Sequence, residues 1–382
     1  MKRLLIPIAA LALLAACGGG ASAPASSAPP AARAAASKPA AASPSAAAAG
    51  EKPAASAAAK PAASGAAAAA APSIDAQAVK AEGKAAGYGV LVDSQWKTLS
   101  DLMTSKYGIG VENFRGDTTA VLARINTEEA AGKNLWDMVV LEGPFIDTLA
   151  KQNYIQKLPP ALINRFPEKW RDPNGNWVSF TLFPLTVIYN TDLVPKDQAP
   201  KSMDDLTDPR WKGKIAMTDP VLNEAFMRWF QVIREKKGAQ ADAYFKALAA
   251  NNPTFFQSGL TVSTNVNQGQ FPIGVGFMTH VLSVGGKNGH MAFMAQDPMP
   301  TTSGAFALAA NPPHPNASKA LADLFLSESY LQASGDLGYP ITLPGVKSAI
   351  PEANGLNYED VPELPQAKFD ESQTYFKGIF KK

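Results

Sequence analysis

An α/β fold is expected for the body of this 382-residue chain, from about residue 87 onward, and three observations predict it. Short apolar strands alternate with helices, the pattern of a mostly parallel sheet covered on both faces. The body is about 300 residues long, enough for a large core that usually divides into two domains. One stretch, WVSFTLFPLTVIYNTDLVP (177–195), breaks the alternation: it is long, extended and rich in aromatic and branched residues. It reads as the chain crossing out of a first lobe.

The elements follow in order. GYGVLV (87–92) reads as a strand. TLSDLMTSKYG (98–108) reads as a helix, with Thr98 or Ser100 as a cap and Gly108 as its stop. IGVENF (109–114) is the next strand, and DTTAVLARINTEEAAG (117–132) a helix with a hydroxyl-rich start. WDMVVLE (136–142) is a short buried strand and FIDTLAKQN (145–153) another helix. Beyond the crossing come the strand KIAMTD, helices around 221–237 and 239–250, and the strand FPIGVGF (271–277). PMPTTSGAFALAANPP (298–313) returns toward the first lobe, and a terminal helical region follows.

The first residues, MKRLLIPIAALALLAACGGG, carry a positive start and an apolar run that ends in Leu14-Ala15-Ala16-Cys17. That is the make-up of an export signal over 1–16. The run is shorter than the ~20 apolar residues that span a bilayer. The junction resembles the lipobox of bacterial lipoproteins, which implies acylation of Cys17 and a lipid anchor. Cys17 is the only cysteine, so no internal disulfide is expected. Residues 17–80 read as a tether: alanine-rich, interrupted by Pro39, Pro44, Pro53 and Pro61, and without large apolar side chains to bury. Without Lys2 and Arg3 the 35 basic residues become 33, equal to the 33 acidic ones. A near-neutral chain without clustered basic charge gives no footprint for nucleic acid.

Open α/β sheets bind ligands beyond the carboxyl ends of their strands. That rule selects Asp93, Ser94 and Trp96; Arg115, Gly116, Asp117, Thr118 and Thr119; Glu142; and Phe277, Thr279 and His280, with Asp219 a weaker choice. Gly116 permits close backbone approach, and free amides at a helix start suit a carboxylate or phosphate. Asp117 or Thr118 would equally serve as a plain N-cap, and Arg115 could pair with Asp117. Trp96 could cover the less polar part of a ligand or pack as a staple beside its helix. Glu142 suits a cationic group, a hydroxyl or a metal, or caps the next helix. His290 and His314 read as surface-loop residues, and neither has a partner at metal-ligand spacing.

YNTDLVPKDQAPKSMDDLTDPRWKGKIAMTDP (189–220) resembles the signature region of the ferric-binding-like branch of the bacterial extracellular solute-binding proteins, with Met203 in place of the usual tryptophan. GQFPIGVGF and PMPTTSGAFALAANPPHPNASKALADLFLS extend the resemblance into the second half. It implies a type II periplasmic-binding-protein fold: two α/β lobes joined by crossover strands with a ligand cleft between them. The first lobe would take 87–182 and approximately 300–330, the second 183–299, and the helical region 331–382 would pack on both. It also implies an ABC importer permease as partner, a small-molecule ligand, a monomer, no cofactor, and a place on the periplasmic face of a Gram-negative envelope.

In iron-binding members the first-strand loop resembles YNGQHK, and here it is VDSQWK, so Trp96 stands in the histidine's place. DVFYTE becomes DMVVLE, which keeps Glu142, and the paired tyrosines become Thr279 and His280. A phenolate pair is what makes a strong ferric site. The expectation is therefore an organic solute with an anionic end at 116–119 and its body near Trp96, captured by lobe closure. Ferric iron or a metal chelate is the alternative ligand. The rival classes are a cell-envelope lipoprotein without a transport role and a hydrolytic enzyme. For the latter the chain has no GxSxG, HExxH, phosphate loop or dinucleotide fingerprint.

Overall fold

The computed structural model describes residues 73–381. The export signal, Cys17 and the tether as far as residue 72 lie outside these residues. The tether's expected end at 80 is corrected: α1 (Ala76–Ala81) is capped by Asp75 and inserts Val79, fully buried, into the core.

The chain continues through β1 (Lys84–Gly89), α2 (Asp93–Tyr107), β2 (Gly110–Arg115), α3 (Thr118–Ala130), β3 (Met138–Glu142), α4 (Gly143–Lys151), β4 (Ile155–Gln156) and α5 (Pro160–Ile163). The crossing strand β5 (Val178–Asn190) leads to β6 (Ile215–Thr218), α6 (Glu224–Lys237), α7 (Ala241–Ala250), β7 (Thr254–Phe256), α8 (Gly259–Asn267), β8 (Ile273–Phe277), α9 (His280–Ser283) and β9 (Met291–Phe293). The return strand β10 (Met299–Ala309) is followed by α10 (Pro315–Phe325), α11 (Glu328–Gly335), β11 (Tyr358–Asp360) and α12 (Gln366–Phe380).

The strands run in the order β2-β1-β3-β10-β5-β8-β6-β7, with β4 and β11 beside β10 and β9 beside β5. At one end β1 is parallel to β2 and β3, and at the other β6 is parallel to β7 and β8. The middle is antiparallel: β10 runs against β3, and β5 against both β10 and β8. The expectation of a mostly parallel sheet thus fails at the centre, because one strand leaves the first half and another returns. β5 changes sheets within its own length. Thr181–Pro184 pair with β10, and Leu185–Tyr189 pair with β8.

Each half has helices on both faces. Around the first, Leu99, Met103, Phe180, Phe306 and Leu321 form one core, and Val121, Trp136, Leu141 and Ile146 the other. Around the second, Phe226, Phe230, Phe245 and Phe376 pack on one face and Ile188, Val262 and Val266 on the other. Among the described residues, no helix is long and apolar enough to cross a membrane.

The first βα unit differs from the sequence expectation. β1 ends at Gly89, and α2 begins at Asp93, five residues before the cap expected at Thr98. Gln95 Oε1 accepts the Val92 amide at 3.1 Å, and the Thr98 hydroxyl donates back to the Ser94 carbonyl at 2.9 Å, so local side chains secure the early turn. With the helix started there, Trp96, Leu99, Met103 and Tyr107 share one buried face. Gly87 makes room for it: a Cβ at that position would lie 2.5 Å from the Trp96 ring. A strand of small residues was therefore needed, and the larger residues of GYGVLV lie mostly past its end.

The C-terminal region is not only helical. β11 adds to β10 in parallel, Met299 facing Tyr358 and Thr301 facing Asp360. α11 contributes Tyr330 and Leu331 to the first half's core, whereas Val361 and Phe376 belong to the second's.

Candidate ligand cleft

The carboxyl ends of β1, β2 and β3 meet at a depression of ≈ 540 Å³ lined by Val90, Arg115, Gly116, Asp117, Thr118 and Glu142. Asp117 is the N-cap of α3, accepting the Ala120 amide at 2.8 Å. The Thr118 hydroxyl is buried without a hydrogen-bond partner and is the donor this helix start offers a ligand. Thr119 is exposed. Arg115 pairs with Asp93 at 3.1 Å, not with Asp117. Both partners are solvent-exposed, so the pair contributes little to stability. Ser94 is exposed on the first turn of α2.

Trp96 is 3% exposed and belongs to the core of the first half, which corrects the expectation that it packs against a ligand. In the second half, the Asp219 carboxylate accepts the Val221 amide at 2.9 Å, a turn-forming role. Phe277 packs edge-on against Phe226 and His280. Thr279 is buried at the start of α9. His280 Nδ1 lies 2.8 Å from the Ser263 hydroxyl. Burial pushes the His280 imidazole down to about 4, despite a backbone hydrogen bond to Gly259 that favours its charged form. Its ring is thus neutral at pH 7 and committed to the interior. His290 pairs with Asp192 on the surface, but His314 does not stay in a surface loop: its Nδ1 is 2.9 Å from the fully buried Asp137 carboxylate.

The residue that sequence reasoning missed is Arg228 on α6. It is fully buried, yet Nε, Nη1 and Nη2 all lack a hydrogen-bond partner. Its one ion pair among the described residues is with Glu142, at 3.8 Å, which brings an arginine from the second half against the last residue of β3 in the first. A buried charge without hydrogen bonds costs several kcal/mol in general, so such a group is kept for something other than stability. Glu142 caps α4 without a side-chain hydrogen bond to it, which leaves its carboxylate directed at Arg228. Desolvation raises the Glu142 carboxyl above the usual range; Arg228 pulls it down, and Glu224 and Asp360 push it up again.

The crossover strands supply the floor. Ser179 on β5 donates to Ser303 on β10 at 3.0 Å, and Ser303 donates to Asp360 on β11 at 2.8 Å. Gly143 opens α4 directly above them: a Cβ there would stand 2.7 Å from the Ser303 hydroxyl. The signal for Arg228 was present in the sequence as a lone charge inside AFMRWFQVI, where every other residue up to Gln231 is also buried.

His280 makes a pH prediction. The unfolded chain takes up a proton near pH 6.5, the folded chain only near pH 4, so between these values the unfolded state holds more protons and stability falls as pH falls. His280→Asn should flatten this fall, sparing about 2 kcal/mol between pH 6.5 and 5. Urea melts of both proteins across that range test it, and parallel slopes would count against a neutral buried imidazole.

The architecture defines a class: two α/β halves joined by crossover strands, a type II periplasmic-binding-protein fold. Iron-bound HitA from Pseudomonas aeruginosa has this fold at a TM-score of 0.61 and 17% identity, covering 78% of this chain and 98% of that one. A substrate-binding protein of an ABC transporter from Agrobacterium tumefaciens has it at a TM-score of 0.65 and 16% identity, covering 78% and 94%. The Trichodesmium protein IdiA (FutA), solved with iron and citrate ligands, has it at 0.57 and 15%, covering 78% and 98%. Residues 133–361 match the family of bacterial extracellular solute-binding proteins, and the chain belongs to that family, in its ferric-binding-like branch. Among sequence relatives, the Fe(3+)-binding periplasmic protein of Serratia marcescens is 26% identical over 232 residues, 58% of this chain and 67% of that protein. An uncharacterized protein of Haemophilus influenzae is 27% identical over 226 residues, 56% of this chain and 63%, under two thirds, of its own length.

Proposed function

We propose that this chain is the solute-capturing receptor of an ABC importer, anchored at Cys17 on the periplasmic face of the envelope, and that it captures ferric iron as an anionic complex. Arg228 carries the anionic part: it is a buried guanidinium with three unpartnered nitrogens, between the two halves and against Glu142. Guanidinium donors suit carboxylate and phosphate oxygens better than any other common solute group. The iron part rests on the relatives, namely the Serratia protein named for Fe(3+) and the Trichodesmium protein with iron and citrate. They favour iron over the metal-free organic solute that the sequence put first. Because Thr279 and His280 supply no phenolate, most oxygens around the metal would come from the accompanying anion, with Glu142 as a carboxylate from the protein.

A metal-free organic anion is the second reading. It is favoured by the inward commitment of His280 and by the absence, among the described residues, of any group of three or more His, Cys, Asp or Glu side chains placed to hold a metal.

Calorimetric titration with ferric citrate and with citrate alone, alongside metal analysis of protein purified from its host, tests both. Ferric citrate should bind about 100-fold more tightly than citrate, and X-ray scattering should show a smaller radius on binding. Equal affinities would favour the metal-free reading. No binding of either anion, with no retained solute, would reject an anion site at Arg228.

A further inference from the structure

Asp360 sits beside the Arg228–Glu142 pair: the Ser303 hydroxyl donates to it at 2.8 Å, and the next residue of β10, Gly304, pairs in register with Glu142. Its Oδ2 is held by Ser303, while its Oδ1 is buried with no hydrogen-bond partner. Burial raises this carboxyl above the usual range, although Ser303, Arg228 and the Val361 amide all pull it down. Glu142 and Glu224 are raised for the same reason, and each also feels Arg228. Three carboxyls thus share the field of one buried guanidinium; Glu224 is exposed and Glu142 partly so, whereas Asp360 presents a buried oxygen without a partner. An anion bound to Arg228 alone would meet these carboxyls as like charges. A solute that carried a cation next to its anion would satisfy Asp360 Oδ1 and Arg228 together.

We propose that Asp360 is a specificity-determining residue that meets the cationic part of the solute beside the anion on Arg228, so that the cleft selects a solute with both charges side by side. This rests on the anion reading of Arg228 given above. The cation is either a metal within an anionic complex or an ammonium group, and both share the need for a desolvated carboxylate oxygen. The orientation is built in: Ser179 and Ser303, from the two crossover strands, fix Oδ2 and turn Oδ1 away from them. Asp360 comes from β11, which the chain reaches after the return strand β10, so the C-terminal segment contributes to selection.

The test is calorimetric titration of the whole protein with three probes: ferric citrate, phosphoethanolamine and citrate alone. Asp360→Asn keeps an oxygen for Ser303 but removes the charge. It should weaken whichever cation-bearing probe the wild type binds by about 10- to 100-fold, the scale of one charge-assisted hydrogen bond. Citrate alone should bind no more weakly than before. Asp360→Glu should keep the preference for the cation-bearing probe. If Asp360→Asn does not fold, Ser303→Ala, which frees Oδ2, should shift the preference in the same direction. The ferric and ammonium probes separate the two sources of the cation. A wild type that binds none of the three overturns the anion reading itself. A wild type that binds, with a preference unmoved in these variants, overturns only the role of Asp360.

Discussion

Arg228→Met should abolish solute capture and leave the ligand-free protein as stable as before, or more so. The two effects have one cause. Arg228 is fully buried and makes no hydrogen bond, so its desolvation is offset by Glu142 at 3.8 Å and, at longer range, by the Glu224 and Asp360 carboxyls. Methionine fills a similar volume without charge, and replacing buried ionic groups by apolar ones is often neutral or stabilising by about 1–4 kcal/mol. Freeing Glu142 should cost little, because its side chain keeps 36% exposure and can turn to water. Affinity for ferric citrate should fall at least about 100-fold, since the anion loses a charged, forked and buried donor. Arg228→Lys keeps the charge but not the fork and should fall between. Calorimetric titration and thermal melts of the three proteins decide this. Affinity within about threefold of wild type in Arg228→Met, a difference under 1 kcal/mol, would remove Arg228 from the site. A large fall in melting temperature would mean that the residue is structural.

The same residue shows what the sequence could convey. The alternation of strand and helix, the crossing at 177–195 and the return at 298–313 were legible because each rests on local period and composition. So was the family, through YNTDLVP and DPRWKGKIAMTDP. β1 was misplaced because its first buried residues are Ala85, Ala86 and Gly87, too small to look like a strand, with Gly87 leaving room for the Trp96 ring. Trp96 then fell onto a helix face instead of a loop, and no local pattern signals that shift. Arg115, Gly116, Asp117, Thr118 and Glu142 come together because parallel neighbouring strands end on one side, a rule that can be applied from strand order alone. Arg228 and Asp360 could not be reached in that way. One sits inside a helix and the other on a late strand, and only the path of β5, β10 and the C-terminal segment brings them beside Glu142. A single buried charge in an apolar helix was the sole local hint.

Phe376→Ala should give the largest loss of stability of the changes considered, and the loss should start at the C-terminus. Phe376 is fully buried against Phe230 and Phe245, with ring centroids 5.8 and 5.1 Å away. Truncating such a ring costs about 3–5 kcal/mol, through lost burial and the cavity left behind. α12 has other ties to the second half, among them the Ser372 hydroxyl to Gln231 at 3.0 Å, Glu371 to Arg234 at 3.0 Å, the Tyr375 hydroxyl to Asp242 at 2.8 Å and the partly buried Phe380 ring 4.9 Å from Phe255, but Phe376 is its fully buried ring. The Ser372 contact is buried and the other two polar contacts are exposed, and none of them replaces a core ring. Gln231 and Arg234 lie on α6, about one and two turns beyond Arg228, so loosening α12 also loosens the helix that presents the guanidinium. β11 and Asp360 lie just ahead of α12 and should follow it. Hydrogen exchange should therefore quicken in α12, β11 and the second half of α6, while α2 and α10, packed in the other half, stay protected. Ferric citrate affinity should fall with it. Phe376→Leu, which restores most of the volume, should recover both stability and binding in large part. Uniform exchange through both halves would show that the protein unfolds as one unit. Unchanged affinity in a protein that had lost α12 would show that the C-terminal segment has no part in the cleft.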